Sequence, residues 1–192
     1  MSSVTAVKLD VTKDVDPMNA LKIVSGWLGK STSKNPRFLH AVINNAGVGS
    51  NGPIDWTAVS DFENVMEVNY FGMIRVTKAF LPILKSQSCK GLYRDARILN
   101  VCSFAGHIAL PGSPAYVVSK FAVERFSSCL RMEMQSFDLP VITVNPSVHG
   151  TTMLDTSKPH FQAKWDKLTD EVRNQYGIGM SAMHSIYFDQ RL

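Results

Sequence analysis

Cysteine is scarce in this sequence, with only three among 192 residues. Cys89, Cys102 and Cys129 are widely spaced, form no Cys-x-x-Cys pair and have no histidine cluster beside them. Zinc sites and disulfide frameworks need closely spaced ligands or regularly paired cysteines. We therefore expect reduced thiols, with neither a metal site nor a disulfide framework.

Long apolar runs and strong charge are also missing. The first ten residues contain no apolar run of the kind that marks a signal peptide, and no segment reaches the roughly 20 apolar residues that cross a bilayer. The net charge of +4 is small and the basic residues are scattered, so a nucleic-acid groove is not indicated. We expect a globular chain of about one domain, with no signal peptide and no membrane association encoded in these residues.

Strand-like and helix-like segments alternate along the sequence. Short runs of apolar and β-branched residues predict strands at 4–11, 38–43, 97–102 and 141–145. Apolar residues at helical spacing predict helices at about 21–28, 61–85, 115–137 and 160–176. This alternation is typical of an α/β fold, in which a parallel sheet is covered by helices on both faces.

Short local signals predict where several helices begin or end. The segment 60–63, Ser-Asp-Phe-Glu, matches a capping box and predicts a helix that begins at Asp61. Ser113 followed by Pro114 predicts a second helix start, because proline suits the first helical position. Gly177 is the predicted stop of the helix at 160–176, since glycine favours the position just past a helix end.

Tyr116 and Lys120 are four residues apart in the helix predicted at 115–137, so they share one face. A nearby ammonium favours the phenolate, and we expect the pKa of Tyr116 to fall below its ordinary value of about 10. Ser103 follows the strand predicted at 97–102, and parallel sheets bind ligands beyond the carboxyl ends of their strands. Together the three side chains suggest proton transfer to or from an alcohol or carbonyl oxygen. Taken alone, a Tyr-x-x-x-Lys pair is more often a solvated helix face.

Several motifs follow one another in a characteristic order along the chain. They are Asn44-Asn-Ala-Gly47, Glu67-Val-Asn-Tyr70, Asn100-Val-Cys-Ser103, and Tyr116 with Lys120. This set resembles the short-chain dehydrogenase/reductase family, and the resemblance covers most of the chain. It implies one domain of that family over residues 1–192, a Rossmann-type fold and a nicotinamide cofactor, either NAD or NADP.

Further segments resemble the retinol and hydroxysteroid dehydrogenase branch of this family. They are Gly52-Pro-Ile-Asp-Trp56, residues 71–82, Ser119-Lys-Phe-Ala-Val-Glu124 and residues 165–177. This likeness implies a small apolar alcohol or ketone substrate, retinoid- or steroid-like, beneath a substrate lid formed by residues 151–192. The apolar residues of that region suit such a ligand, and they equally suit an ordinary packed helix. Relatives in this branch are often held at the endoplasmic reticulum, and the localisation of this chain stays open.

The resemblance also implies roles for four catalytic side chains. Tyr116 is the implied general acid in carbonyl reduction and the general base in alcohol oxidation. Lys120 is implied to lower the pKa of Tyr116 and to bind the nicotinamide ribose. Ser103 is implied to donate to the substrate oxygen, where negative charge grows, and Asn69 to hold a water that links Lys120 to solvent.

A second set of residues is implied to bind the cofactor. Within it, Asp10 and Val11 are implied to contact adenine, and the turn at 44–47 to line the cofactor cleft. A loop after the strand predicted at 141–145 is implied to meet the nicotinamide carboxamide. The full set of implied cofactor contacts is Asp10, Val11, Asn44, Ala46, Gly47, Tyr116, Lys120, Pro146, Val148 and Thr151.

Parts of the family pattern have no counterpart in this sequence. Nothing before Asp10 resembles the glycine-rich turn Thr-Gly-x-x-x-Gly-x-Gly, nor the family's first two strands. The expected fold is a partial doubly wound Rossmann-type parallel sheet that lacks those strands and the turn that anchors pyrophosphate. The strand ending at Ile43 becomes an open apolar edge, and we expect residues 1–192 alone to be poorly stable or to bind dinucleotide weakly. Pro146-Ser147 stands where the family has Pro-Gly, which predicts an altered nicotinamide loop.

Two hypotheses about function come from these observations. The first is an oxidoreductase that interconverts an alcohol and a carbonyl with a nicotinamide cofactor. The second is a non-catalytic truncated homologue, or a gene-model fragment, that acts as an interaction partner. Its surface would be the helices at 61–85 and 115–137, which often form a dimer interface in the family and so also allow a homo-oligomer. An upstream glycine-rich turn in frame with this chain would favour the enzyme.

Overall fold

The structure is a computed structural model that describes residues 4–89, 95–147 and 152–176, with no account of the side chains of 152–158. Six α-helices and three β-strands follow one another along these residues. They are α1 (Val15–Leu28), β1 (Ala41–Asn44), α2 (Val59–Met66), α3 (Met73–Cys89), β2 (Arg97–Val101), α4 (Pro114–Met134), β3 (Val141–Val144), α5 (Thr152–Trp165) and α6 (Asp170–Tyr176), with a π-helical turn (Glu67–Gly72) between α2 and α3. Short 3-10 helices lie at Ile54–Trp56, Phe104–Gly106 and Gln135–Phe137.

The three strands form one parallel sheet in the order β1-β2-β3. Val42 lies opposite Ile98, and Ile98 lies opposite Val141. Each strand is followed by a helix before the next strand begins, as right-handed crossover connections require in a parallel sheet. The α/β class and the partial Rossmann-type parallel sheet predicted from sequence are confirmed.

One face of the sheet carries the main hydrophobic core. Val42, Ile98 and Val141 are all buried on this face, where they pack with Leu84 of α3 and Leu130 of α4. Burying such side chains fully contributes about 1.5–3 kcal/mol each, so this layer is the chief source of stability. Helix α1 adds Ala20 to the same cluster.

The other face of the sheet is largely bare in the part of the chain that the structure describes. Ile43, Ile142 and Val144 point away from the core and are 61%, 38% and 41% exposed. The prediction of helices on both faces is therefore wrong for the described residues. Alternation of elements fixes a parallel sheet, but the crossovers from β1 to β2 and from β2 to β3 place their helices on the same side.

The strand predicted at 4–11 is not formed. Residues 4–10 belong to no strand of the described sheet, and a turn begins at Val11. A strand exists only as part of a hydrogen-bonded ladder, and no described strand lies beside this segment. Leu9 nevertheless packs against the main core, so side-chain burial holds the segment in place without pairing.

Helix boundaries were predicted with mixed success. The helix predicted at 61–85 runs as α2, the π turn and α3, and it begins at Val59 with Ala58 as N-cap and no side-chain cap. The capping-box prediction is therefore wrong. The start of α4 at Pro114 is confirmed, although the Ser113 hydroxyl donates to Asn51 Oδ1 at 2.9 Å instead of capping the helix.

The region of the predicted lid contains two helices instead of one. Helix α5 begins at Thr152, and residues 166–169 separate it from α6. The predicted stop at Gly177 lies outside the described residues. Within the described residues, no helix is both long and apolar enough to span a membrane.

Candidate active site

Tyr116 and Lys120 lie one turn apart near the start of α4. The Lys120 side chain is buried, and its Nζ donates to the carbonyl of Val101 at 3.0 Å. Nζ lies 5.6 Å from the centre of the Tyr116 ring. Because the lysine is tied to the end of β2, its ammonium is held at the carboxyl edge of the sheet beside the phenol.

Ser103 reaches the same place from the other side. It follows β2 and caps the 3-10 turn Phe104–Gly106, where its Oγ accepts from Ala105 N–H at 3.2 Å. Its side chain lies near enough to the Tyr116 phenol for hydrogen bonding to lower the pKa of Tyr116. The structure therefore brings Ser103, Tyr116 and Lys120 together, as the sequence predicted.

The electrostatics of the phenol differ from the prediction. Burial raises the pKa of Tyr116 above its ordinary value, and this effect outweighs the hydrogen bond from Ser103. The pKa of Tyr116 is therefore raised and not lowered, and the predicted fall is wrong. Burial in turn lowers the pKa of Lys120, because an ammonium loses hydration inside the protein.

Asn69 is buried in the π turn next to this group. Its Nδ2 donates to the carbonyl of Val48 and to Ser119 Oγ, both at 2.9 Å, and its Oδ1 accepts from Val48 N–H at 2.8 Å. The Ser119 hydroxyl donates onward to the carbonyl of Tyr116 at 2.7 Å. Both amide protons of Asn69 are used to join the turn after β1 to α4, and the water bridge to Lys120 stays a prediction.

The turn after β1 approaches Lys120 closely. A Cβ placed on Gly47 would lie 3.8 Å from Lys120 Nζ and 3.5 Å from Asn69 Oδ1, both ordinary contact distances, so the backbone of this turn passes close to the ammonium. Asn44 instead turns its side chain into the fold, where Nδ2 donates to Asn100 Oδ1 at 2.8 Å and Thr77 Oγ1 at 3.0 Å. Gly47 thus lies next to the candidate site, whereas the Asn44 amide forms hydrogen bonds in the interior of the protein.

Asp10 lies in a turn that its own side chain closes. Its carboxylate accepts from the Thr12 hydroxyl and N–H at 2.7 and 3.0 Å and pairs with Lys13 at 3.5 Å. These hydrogen bonds from Thr12 lower the pKa of Asp10. Val11 packs directly against the helix at Gly72. The carboxylate of Asp10 is therefore already occupied by contacts within its own turn.

A cavity of about 240 Å³ lies between this turn and the end of β1. Of the implied cofactor contacts, it is lined by Val11, Asn44 and Ala46, and Asn69 also borders it. Asp10, Gly47, Pro146 and the catalytic hydroxyls are not in its wall. Val148 and Thr151 lie outside the described residues. A wider open groove of about 420 Å³ near Trp27 lies away from the site.

The chemistry of these residues fits one end of a dinucleotide. Tyr116, Ser103 and Lys120 offer hydroxyl and ammonium groups that suit ribose and carbonyl oxygens. The walls of the cavity, in contrast, carry no charged side chain among the described residues. The described chain therefore fits the nicotinamide ribose, and it presents no cation in that cavity to hold a pyrophosphate.

Sequence reasoning missed the buried polar residues that support the site. Asn100 of β2 is fully buried, and its Nδ2 donates to Ser127 Oγ of α4 at 2.8 Å. Cys102 is also buried; its Sγ donates to the carbonyl of Lys120 at 3.2 Å, and burial raises its pKa to about 11. An asparagine inside the apolar run 97–101 was the available signal, since buried amides need partners.

The packing of α5 was missed as well. Lys164 Nζ lies 2.9 Å from Asp61 Oδ2 and 3.0 Å from Ser50 Oγ, so it ties α5 to α2 and to the turn after β1. The rings of Phe161 and Trp165 lie 5.5 and 5.4 Å from that of Trp56. These apolar residues of the predicted lid pack within the protein.

Comparison with known proteins places this geometry in a family. The family described as short chain dehydrogenase matches residues 2–161. D-beta-hydroxybutyrate dehydrogenase, mitochondrial, of Rattus norvegicus is 32% identical over 191 residues, which are 97% of this chain and 50% of that protein. 3beta-hydroxysteroid dehydrogenase dhs-16 of Caenorhabditis elegans is 33% identical over 174 residues, covering 89% of this chain and 42% of that protein.

A solved structure shows the same fold. 3-ketoacyl-(acyl-carrier-protein) reductase from Brucella melitensis, complexed with NADH, superimposes with a TM-score of 0.70 at 24% identity, over 81% of this chain and 60% of that one. The chain spans about half the length of the curated relatives it matches. It belongs to the short-chain dehydrogenase family of oxidoreductases, in the branch that its retinol- and hydroxysteroid-dehydrogenase-like motifs indicate.

Proposed function

We propose that this chain carries the proton-transfer site of an oxidoreductase that interconverts an alcohol and a carbonyl with a nicotinamide cofactor. The observation that carries the proposal is the placement of Tyr116 beside the buried Lys120, with the Ser103 side chain near enough to lower the pKa of the Tyr116 phenol. Two hydroxyls directed at one point can hold a single substrate oxygen and deliver a proton to it. The family match supports the reaction class.

Each side chain has a distinct task in carbonyl reduction. The nicotinamide cofactor, when bound, supplies the hydride. Ser103 donates a hydrogen bond to the substrate oxygen as negative charge grows there, and Tyr116 gives that oxygen its proton. The raised pKa of Tyr116 keeps the phenol protonated near neutral pH, which is the form that reduction needs. Lys120 offers its ammonium to the ribose hydroxyls.

The substrate class is proposed from the branch resemblance. We infer a small apolar alcohol or ketone, retinoid- or steroid-like, because the branch motifs at 52–56 and 119–124 flank the candidate site. One named relative is a hydroxysteroid dehydrogenase, and another is a hydroxybutyrate dehydrogenase. Both names describe secondary alcohols. NAD and NADP stay equal alternatives for the cofactor.

The proposal is tested by turnover assays on purified protein. Retinol, a 3-hydroxysteroid and 3-hydroxybutyrate are each supplied with NAD or NADP, and the corresponding ketones or aldehyde with the reduced cofactors. Tyr116→Phe should lower the rate at least about 100-fold, since positioned acid–base groups contribute roughly 10² to 10⁴. Tyr70→Phe is the matched control, because it removes the same hydroxyl from a ring that packs against Phe71 and Phe126. Equal rates in the two variants would remove Tyr116 from the mechanism.

A second candidate function is a non-catalytic interaction partner. It is favoured by the uncharged cavity and by apolar side chains exposed on the two long helices, with Phe71, Val118 and Phe121 being 44%, 53% and 38% exposed. We propose that these helices would form the contact, with a second copy or with a relative. Calorimetry separates the two candidates: tight binding of a reduced dinucleotide favours the enzyme, whereas dimer formation without such binding favours the partner.

A further inference from the structure

Helix α1 exposes two large apolar side chains near its C-terminal end. Leu21 and Val24 pack against the main core, whereas Ile23 and Trp27 are 51% and 49% exposed. Because Ile23 and Trp27 are four residues apart, they are neighbours on the helix surface. Trp27 also borders the open groove of about 420 Å³, whose other lining residues are 35–38. The end of α1 and the loop after it thus present an aliphatic and an aromatic side chain to solvent on one surface.

The charged side chains of this segment are all basic. Residues 17–54 contain no aspartate or glutamate. Their lysines and arginine are Lys22, Lys30, Lys34 and Arg37, and the three lysines are exposed. Helix α3 packs beside α1 and contains no acidic residue either. The surface therefore carries positive charge that no acidic side chain of its own segment or of α3 neutralises.

The acidic residues on either side of this segment are remote or already paired. Asp14 and Asp16 lie at the opposite end of α1, roughly 16–20 Å from Trp27 at about 1.5 Å per residue. Charges interact weakly beyond the screening length of about 8–10 Å at physiological salt. Asp95, beside the start of β2, pairs with Arg97 at 3.6 Å. The positive charge of the surface is therefore available to an outside partner.

The loop after α1 is held by hydrogen bonds within itself and to the helix. The Arg37 side chain lies over the Trp27 ring, with Cζ 5.1 Å from the ring centre, and its Nη1 donates to the carbonyl of Trp27 at 3.1 Å. The N–H of Arg37 donates to Ser31 Oγ at 2.9 Å, and Thr32 and Asn35 exchange backbone hydrogen bonds. These contacts fix the basic loop next to the apolar pair.

The apolar pair and the positive charge together select the kind of partner. Soluble phosphate would meet the ammonium groups but leave Ile23 and Trp27 in water, and so would a highly acidic peptide. The surface of an anionic bilayer suits both features, because its headgroups attract lysine and arginine while its acyl boundary takes up aliphatic and aromatic side chains. Tryptophan in particular is enriched at membrane–water interfaces.

We propose that this surface docks on anionic lipid bilayers and lies on them without crossing them. We call it the basic ledge, and its residues are Ile23, Trp27, Lys30, Lys34 and Arg37. The expectation from sequence, that no membrane association is encoded, rested on the missing signal peptide and apolar span, neither of which this surface needs. The ledge precedes β1 and lies at the amino edge of the sheet, whereas Ser103 and Tyr116 lie at the carboxyl edge. Docking can therefore be tested apart from the proposed reaction.

The proposal is tested by floating the full chain of 192 residues with vesicles in a density gradient, which separates bound protein from aggregates. Phosphatidylcholine vesicles with about 30% phosphatidylserine should bind the chain at least about tenfold more tightly than pure phosphatidylcholine vesicles. Lys30→Glu should weaken this binding at least about fivefold, because one lysine contributes about that factor near an anionic surface. Lys167→Glu is the matched control, since it reverses an exposed lysine beyond the end of α5, and it should change binding by less than about twofold.

The apolar contribution is tested with a second pair of variants. Ile23→Ser should weaken binding at least about threefold, whereas Ile54→Ser, which changes an isoleucine that is 72% exposed in the 3-10 helix after β1, should not. Lipids with brominated acyl chains should quench the fluorescence of Trp27 in the bound chain. Trp27→Phe should still bind but lose most of this quenching, because the other two tryptophans, Trp56 and Trp165, pack against each other.

Four results would overturn the proposal. These are no flotation with anionic vesicles, equal binding to neutral vesicles, equal binding of Lys30→Glu and Lys167→Glu, or unchanged binding of Ile23→Ser. A bound chain whose Trp27 is not quenched counts equally against it. Binding of soluble polyglutamate without flotation would assign the ledge to an acidic protein instead. None of these outcomes depends on turnover or on dinucleotide binding.

Discussion

Replacing Gly72 by alanine should destabilise the protein, although alanine normally favours helices. A Cβ at Gly72 would lie 2.6 Å from Val11 Cγ2 and 2.9 Å from Val11 Cβ, so a neighbour has to move. Val11 is poorly placed to yield, because its carbonyl accepts from Arg75 and Arg75 also pairs with Asp14 at 2.6 Å. Overpacking of this kind costs about 1–3 kcal/mol.

The same substitution at Gly26 is the matched control. Gly26 lies in α1, and nothing lies within 4 Å of a Cβ placed there. Alanine should stabilise that helix by up to about 1 kcal/mol, since glycine is the poorer helix former. The higher helix propensity of alanine also offsets part of the cost of the clash in Gly72→Ala. We therefore expect the free energies of unfolding of the two variants to differ by about 1–3 kcal/mol, with Gly72→Ala the less stable.

Urea denaturation followed by circular dichroism at 222 nm measures both free energies of unfolding. Adding Val11→Ala to Gly72→Ala should restore part of the loss, because it removes the atom at 2.6 Å and leaves the one at 2.9 Å. Equal stability of Gly72→Ala and Gly26→Ala would refute the close packing of the Asp10–Val11 turn on the helix.

Three further variants test the buried contacts. In the folded protein the pKa of the Cys102 thiol is about 11, above its ordinary value of 9.0. The buried neutral thiol therefore contributes its full stability below pH 9, and this contribution is lost as the pH rises from 9 to 11. Between pH 8 and pH 11 the free energy of unfolding, measured by urea denaturation, should fall by about 2–3 kcal/mol less in Cys102→Ala than in the parent protein. Asn100→Ala should lower the free energy of unfolding by about 1–3 kcal/mol in the same assay, because the Asn44 amide then loses one of its hydrogen-bond partners. Lys164→Met should cost about 1 kcal/mol or less, since its pair with Asp61 is partly exposed, and high salt should shrink the difference.

Local signals in the sequence predicted much of the sheet and of α4. The apolar β-branched runs at 97–102 and 141–145 became β2 and β3, and Pro114 opens α4 as expected. These features depend on residues close in sequence. The segment 4–11 has the same composition but forms no strand, because pairing depends on a neighbour that composition cannot supply.

In the candidate site, too, features set by residues close in sequence were predicted, and features set by distant residues were not. The spacing of Tyr116 and Lys120 predicted that they share a helix face, and the structure places them together with Ser103. The sign of the pKa shift at Tyr116 was not predictable, because it depends on how deeply the phenol is buried. The contact of Lys164 with Asp61 joins residues about a hundred positions apart, and no local pattern reveals it.

The transfer of a proton by Tyr116 in a nicotinamide-dependent reduction can be tested by isotope labelling. Reduced cofactor deuterated at C4 is mixed with a steroid ketone, and mass spectrometry measures deuterium at the carbinol carbon of the product. We predict one deuterium per product molecule from the parent protein and from Tyr70→Phe, and a rate at least about 100-fold lower from Tyr116→Phe. Equal deuterium transfer by Tyr116→Phe would contradict the account, as would no transfer by the parent from either cofactor to any ketone of the turnover panel.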